Sequence, residues 1–181
     1  MDDRRFFLEN INRWTTMPAA EGRCNVEKLA SLEDKDLLRE YVKFIPFWEN
    51  ERGWEYKKYS EMFNQKNVIE VGAGFGYDGI VYSETANSYT YVDINEKQIS
   101  FLKKIVPLLK RRLKSEKNNI DYEILDDPLN KKFTKNFNAL YSHGVLHHVP
   151  LEFAKKEFAN FDKFLEVGSV VVLLMYPKES D

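Results

Sequence analysis

The sequence predicts an α/β protein: a doubly wound, mostly parallel sheet with helices on both faces, preceded by a helical extension. Three observations carry this expectation. From residue 67 onward, short β-branched segments alternate with segments of helical period. The first of these strands, Val68-Ile69-Glu70-Val71, runs straight into Gly72-Ala73-Gly74-Phe75-Gly76, a bend built from glycines at alternate positions. The apolar runs that follow close on acidic residues, Asp93 and Asp126, as expected where strand ends meet a ligand crevice. The division is a helical extension or lid over 1–65 and one globular unit over 66–181.

Taken in order, residues 1–65 read as helix. Phe7, Ile11 and Trp14 share one helical face, and Met17-Pro18 ends that segment, since the residue before a proline is driven out of the α region. Residues 18–30 have no period and read as a loop. Ser31 with Asp34 resembles a capping box, and Leu37, Leu38, Tyr41, Phe44 and Ile45 form an apolar stripe that stops at Pro46. Trp48, Trp54, Tyr56 and Tyr59 follow among charges; they either pack the helices onto the sheet or cap the ligand cleft.

Asn67–Val71 is the first strand, 79–86 a short helix, and Ser88–Asp93 the second strand. Asn95 caps the next helix, with Gln98 completing a capping box. That helix carries Ile99, Leu102, Ile105 and Val106, and Pro107 is expected to kink it or to start a new one. Ile120–Leu125 and Asn138–Ser142 are the third and fourth strands. Pro150 opens a helix whose Leu151, Ala154, Phe158, Phe161 and Leu165 keep helical spacing; Gly168 ends it and Ser169–Tyr176 is the fifth strand. The carboxyl ends of these strands bring Gly72–Gly76, Asp93, Asp126 and His143–His148 to one edge.

Composition narrows the function classes. A formal net charge of −2 gives no argument for nucleic acid or an anionic membrane as partner. The basic run Lys103–Lys117 lacks interleaved aromatic residues for base stacking and reads as a solvated helix face. A single cysteine, Cys24, forms no internal disulfide framework and suits a reducing compartment. The charged start leads into no apolar signal segment, and the longest apolar run, Val170–Tyr176, is too short to span a bilayer; the expectation is a cytoplasmic protein.

The glycine bend itself discriminates among ligands. A phosphate-cradling loop ends in Gly-Lys-Ser/Thr, and neither Lys nor Ser stands between Gly72 and Gly79. A dinucleotide fingerprint needs glycine where Tyr77 stands. Acid flanks the bend instead, at Glu70, Asp78 and Asp93. Carboxylates without a cation suit a ligand that carries ribose hydroxyls and positive charge and no phosphates.

In this respect the chain resembles the class I S-adenosylmethionine-dependent methyltransferases, a Rossmann-like family. The likeness covers about residues 66–176 and rests on ordered motifs: EVGAGFG (70–76), YVDIN (91–95), ILDD (124–127), FNALYSHGVLHHVP (137–150) and VVVLLMYPKES (170–180). The fourth motif is similar to a signature of the small-molecule branch. Asn138 stands where the family usually has aspartate.

The resemblance implies S-adenosyl-L-methionine as cofactor and a small-molecule methyl acceptor. Glu70, Gly72, Ala73, Gly74 and Gly76 would line its methionine and ribose part, Asp93 would accept from both ribose hydroxyls, and Ile94 would pack on the adenine. Asp126 would meet the adenine amino group, with Asp127 as substitute; Asp126-Asp127-Pro128 is otherwise a plain turn. Ser142, His143 and Gly144 would lie at the donor methyl. The family's sheet normally ends in an antiparallel hairpin that this chain lacks, since it stops at Asp181, so the apolar edge 170–176 invites pairing with a second copy as a homodimer.

His143, His147 and His148 are the only histidines. Their ordinary pKa suits proton transfer near neutrality, which makes His143 and His147 candidate catalytic bases; alternatively they pack or cap the helix at Pro150. His147 and His148 are adjacent and point apart on any regular element, which speaks against a metal. Two other functions compete with methyl transfer: a degenerate module that binds the cofactor without turnover, and a nicotinamide-dependent oxidoreductase, which Tyr77 disfavours.

Overall fold

The computed structural model describes residues 3–16 and 26–175. Four helices come first: α1 (Asp3–Thr16), α2 (Val26–Ala30), α3 (Asp34–Val42) and α4 (Ile45–Met62). The alternating part follows as β1 (Asn67–Val71), α5 (Tyr77–Ser83), β2 (Ser88–Asp93), α6 (Glu96–Arg112), β3 (Ile120–Ile124), β4 (Phe137–His143), α7 (Leu151–Phe161) and β5 (Leu165–Leu174). The strands form a five-stranded sheet in the order β3-β2-β1-β4-β5, and every pairing is parallel. This is the expected Rossmann-like α/β architecture, and its strand order reverses between β1 and β4, where such sheets open a crevice.

Side chains alternate across each strand, so the sheet feeds two cores. Val68, Tyr89, Tyr91, Ala139 and Tyr141 join Leu37, Tyr41, Trp48, Ile80 and Phe101 from α3–α6 on one face. Ile69, Val71, Val92 and Leu140 meet Phe161 of α7 on the other. Gly79 lets α5 approach the first face closely: a Cβ there would meet Tyr91 Cε1 at 2.4 Å and Tyr89 Cε1 at 2.5 Å. Both rings are fully buried. Gly79→Ala is therefore expected to cost about 1–3 kcal/mol by overpacking, read as a lower urea midpoint; an unchanged midpoint would mean that α5 lifts off the sheet at little cost.

Several sequence expectations are corrected. Within 18–30, residues 26–30 form α2, which buries Leu29, while 17–25 lie outside the described residues. Ser31 caps nothing; its hydroxyl donates to Lys28 O at 2.8 Å, and Glu33 occupies the cap of α3 without a side-chain bond. The stripe expected to stop at Pro46 breaks earlier, after Val42, and Pro46 lies in the first turn of α4, where a missing N–H costs nothing. Asn95 does cap α6 through Lys97 N–H at 3.0 Å, but the Gln98 side chain donates to Gly74 O instead of closing a capping box. Helix α6 runs through Pro107 as one element. Pro107 and Lys103 are both exposed, so the carbonyl that loses its donor faces water. The faces of Ile11 and Trp14 lie outside the described side chains.

The largest correction concerns the end of α7. The helix stops at Phe161, a 3₁₀ turn covers Asp162–Phe164, and β5 begins at Leu165. Gly168 sits inside β5 with φ +84°, in a bulge where Phe137 pairs with Leu165 but Ala139 already pairs with Val170. Leu151, expected in the buried stripe, is 69% exposed, and Phe153, Glu157 and Asn160 face inward instead. Along the sheet edge, Val167 and Val171 are exposed. Among the described residues no helix is long and apolar enough to cross a membrane.

Candidate functional site

The site begins where β1 ends. Gly72 N–H still donates to Val92 O at 2.8 Å, and then the chain turns through Gly72, Gly74 and Gly76 at φ +78°, +48° and +75°. L side chains rarely adopt these angles, which is why the bend is glycine-rich. Side chains from other elements hold its carbonyls: Gln98 donates to Gly74 O, Tyr41 to Phe75 O at 2.7 Å, and Tyr91 to Gly76 O at 2.6 Å. A Cβ on Gly72 would overlap Val145 Cγ2 at 2.2 Å, whereas Gly74 has nothing within 4 Å. The middle of the bend therefore faces open space.

That space is a cavity of about 240 Å³ at the carboxyl ends of β1, β2, β3 and β4. Gly72, Gly74, Asp93, Ile94 and His143 line it, as do Leu125 and Pro128 beyond β3, and Phe7 and Asn10 of α1. Asp93 closes β2 and accepts from Asn95 N–H at 2.9 Å. Burial pushes its carboxyl up to about 6, against the amides of Asn95, Ala73, Gly74 and Ile94, which favour the ionised form. A second cavity of about 190 Å³ shares Gly72, Gly74 and His143 with the first and adds Arg52, Glu70 and Asp78. His143 stands between the two.

Asp78, on the first turn of α5, is the buried hub below this junction. It receives Arg52 Nη1 at 2.6 Å, Tyr56 OH at 3.0 Å and Tyr141 OH at 3.0 Å, and His143 Nδ1 lies 3.8 Å from its Oδ2. Burial works against its charge, but His143, Arg52 and Tyr141 outweigh that and hold the carboxyl below its ordinary value. Glu70, two strand positions before the glycines, has the opposite fate: burial and then Asp78 push it well above the carboxylate range, although Tyr89 OH donates to it at 2.8 Å. Two neighbouring acids thus differ in charge, because Arg52 neutralises one of them.

The structure brings together most of the residues singled out in the sequence. Gly72, Gly74, Asp93, Ile94 and His143 line the larger cavity; Glu70, Ala73 and Gly76 line the smaller. Ser142 is buried between β4 and β1, where its hydroxyl donates to Val71 O at 3.0 Å, and it lines neither. His147 lies on the 3₁₀ turn Leu146–His148, with its side chain outside the described set. Asp126 and Asp127 fall outside both cavity walls. Asp126 is 73% exposed and pairs with Lys131 at 3.3 Å, while Asp127 accepts from the N–H groups of Leu129 and Asn130 at 3.0 and 3.1 Å, which is the plain-turn alternative. Arg52, Asn10 and Glu157 were not foreseen; their distance along the chain from the glycine bend left no local signal.

No family model matches the chain, and no curated protein matches it either. Solved structures do. A DhpI–SAH complex superposes with a TM-score of 0.56 at 17% identity, covering 82% of this chain and 67% of that one. The N-methyltransferase NodS from Bradyrhizobium japonicum WM9, in complex with S-adenosyl-L-homocysteine, gives 0.55 at 18% identity, with 82% and 69% covered. A DhpI–SAM–HEP complex gives 0.57 at 16% identity, with 81% and 64% covered. The chain thus spans about two thirds of the length of these proteins and shares their fold.

Proposed function

We propose that this chain is an S-adenosylmethionine-dependent methyltransferase whose acceptor is a small molecule. One observation carries the reading: the open bend at Gly74 and the carboxylate of Asp93 line the same cleft, at the switch point of the sheet. The residues fit the cofactor. Asp93 is an acceptor for ribose hydroxyls, Ile94 offers an apolar face to the base, and Gly72, Ala73, Gly74, Gly76 and Glu70 border the path toward His143. The fold shared with proteins solved with SAM or SAH supports the same assignment.

When bound, the cofactor supplies an electrophilic methyl group on a sulfonium. The protein's task is then mainly positioning, and holding two partners at near-attack distance is worth about 7–11 kcal/mol. His143 stands where both cavities meet, with Asp78 on its Nδ1 side, and is the base we assign for an acceptor that must lose a proton. His147, on the following turn, is the second candidate. Titration calorimetry with S-adenosylmethionine and S-adenosylhomocysteine, followed by a methyl-release assay on a metabolite library, tests the reading. Binding of both nucleosides with release on at least one acceptor is the expected result; absence of binding overturns it.

A further inference from the structure

Two polar side chains in the larger cavity have no protein partner among the described residues. Glu157 of α7 is 6% exposed and Asn10 of α1 is 8% exposed, and both line the cleft among apolar neighbours such as Phe7, Leu125 and Phe153. Among the described residues neither side chain makes a hydrogen bond or an ion pair. Buried polar groups that find no protein partner are satisfied by something else. Their place in the fold says by what. Asn160, one turn beyond Glu157, donates to the carbonyls of Pro128 and Lys131 at 3.2 Å each, which draws α7 over the loop that follows β3. Glu157 thus stands at the β3 end of the cleft beside Leu125 and Pro128, while Asp93 closes the neighbouring strand β2. A nucleoside with its ribose on Asp93 and its base past Ile94 directs the base edge toward that end.

We propose that Glu157 recognises the adenine edge of the nucleoside, its carboxyl group donating O–H to N1 and accepting from the exocyclic amine. This rests on the methyltransferase reading above. A carboxylic acid offers a donor and an acceptor side by side, which matches the adjacent acceptor and donor of adenine; an ionised carboxylate cannot donate to N1. Burial alone pushes Glu157 up to about 7, so the acid form is present at neutral pH and below. The charged or titratable groups that share the cleft are Asp93 from β2, the Glu27–Lys97 pair from α2 and α6, and His143 from β4. Asn10, which lines the cleft from α1 together with Phe7, is uncharged, and the loop after β3 brings Asp126 already paired with Lys131. The sequence motif placed adenine recognition on Asp126; the geometry points to a residue on the helix after β4 instead.

The test is the affinity of the full chain for S-adenosylhomocysteine as a function of pH, for wild type, Glu157→Gln and Glu157→Ala. Wild-type affinity is expected to fall with rising pH above about 7, approaching tenfold per pH unit for a single proton. Gln presents an N–H donor and a carbonyl acceptor without titrating, so E157Q keeps near-wild-type affinity at about pH 6 and loses the alkaline decline. E157A binds about tenfold more weakly at about pH 6 and shows no decline above about pH 7, keeping only the acid-side loss that comes from Asp93. An E157Q profile that still declines like wild type, E157A binding as tightly as wild type, or an effect confined to the acceptor KM each overturns the assignment. Wild type that binds no S-adenosylhomocysteine at any pH overturns the methyltransferase reading itself, a distinct outcome. Ligand-free melting of the variants checks that each is folded.

Discussion

Asp78→Ala is expected to lower the melting midpoint by about 6–12 °C, taking a loss of about 3 kcal/mol in a chain of this length. Asp78 is 4% exposed and accepts from Arg52, Tyr56 and Tyr141. Truncation leaves a guanidinium and two phenols facing a gap. Stripping one partner from a buried pair costs about 3–5 kcal/mol; the lower end applies because the Arg52 side chain is 29% exposed and can recruit water. Relief of Glu70 offsets little, since that acid is held largely neutral. The folded-state pKa of Asp78 is depressed, so its contribution is present above the unfolded value, about 3.9, and is lost as pH falls through the folded one. The midpoints of wild type and variant should therefore converge in strong acid. Equal midpoints at neutral pH would mean that Arg52 is neutralised elsewhere.

Asp93 is expected to show the reverse pattern, with affinity lost and stability kept. Hydrogen bonds to a charged acceptor contribute about 1.5–3 kcal/mol, so Asp93→Ala should weaken S-adenosylhomocysteine by tenfold or more and erase its thermal stabilisation. Because the folded-state pKa is raised to about 6, the ionised acceptor disappears as pH falls through that value, and affinity should drop on the acid side. The same shift makes the carboxylate a burden on the ligand-free fold: stability is full below the unfolded pKa of about 3.9 and declines as pH rises toward 6. Asp93→Asn keeps an acceptor for the Asn95 amide and removes the buried charge. Without ligand it should melt no lower than wild type at about pH 7, yet respond far less to nucleoside. A variant that still gains full thermal stabilisation would remove Asp93 from the site.

Strands β1 and β2 and the glycine bend were legible because their signals are local: β-branched runs that end at glycine or an acid. The boundary after α7 was not, because Phe158, Phe161 and Leu165 keep helical spacing across a point where the chain has already become a strand. Periodicity cannot separate those states in a short apolar run. Helix α2 was missed because five residues with one buried leucine carry no period. Within the site, Asp93 followed from its place at a strand end. Asp126 looked equivalent, but Lys131, a few residues on, captures it outside the cleft. Glu157 follows Lys155 and Lys156, a charged context without a local sign of burial; α7 packs over the loop beyond β3 and against α1 through Phe153 and Phe6. The pairing of Arg52 with Asp78 joins segments 26 residues apart and has no signature in either.

The carbonyls at 74, 75 and 76 are each clasped by a side chain from a different element, α6, α3 and β2. The rotational freedom of that bend is thus surrendered when the chain folds rather than when a guest arrives. Association there should carry a small ordering entropy, and the bend should keep one shape whether vacant or filled.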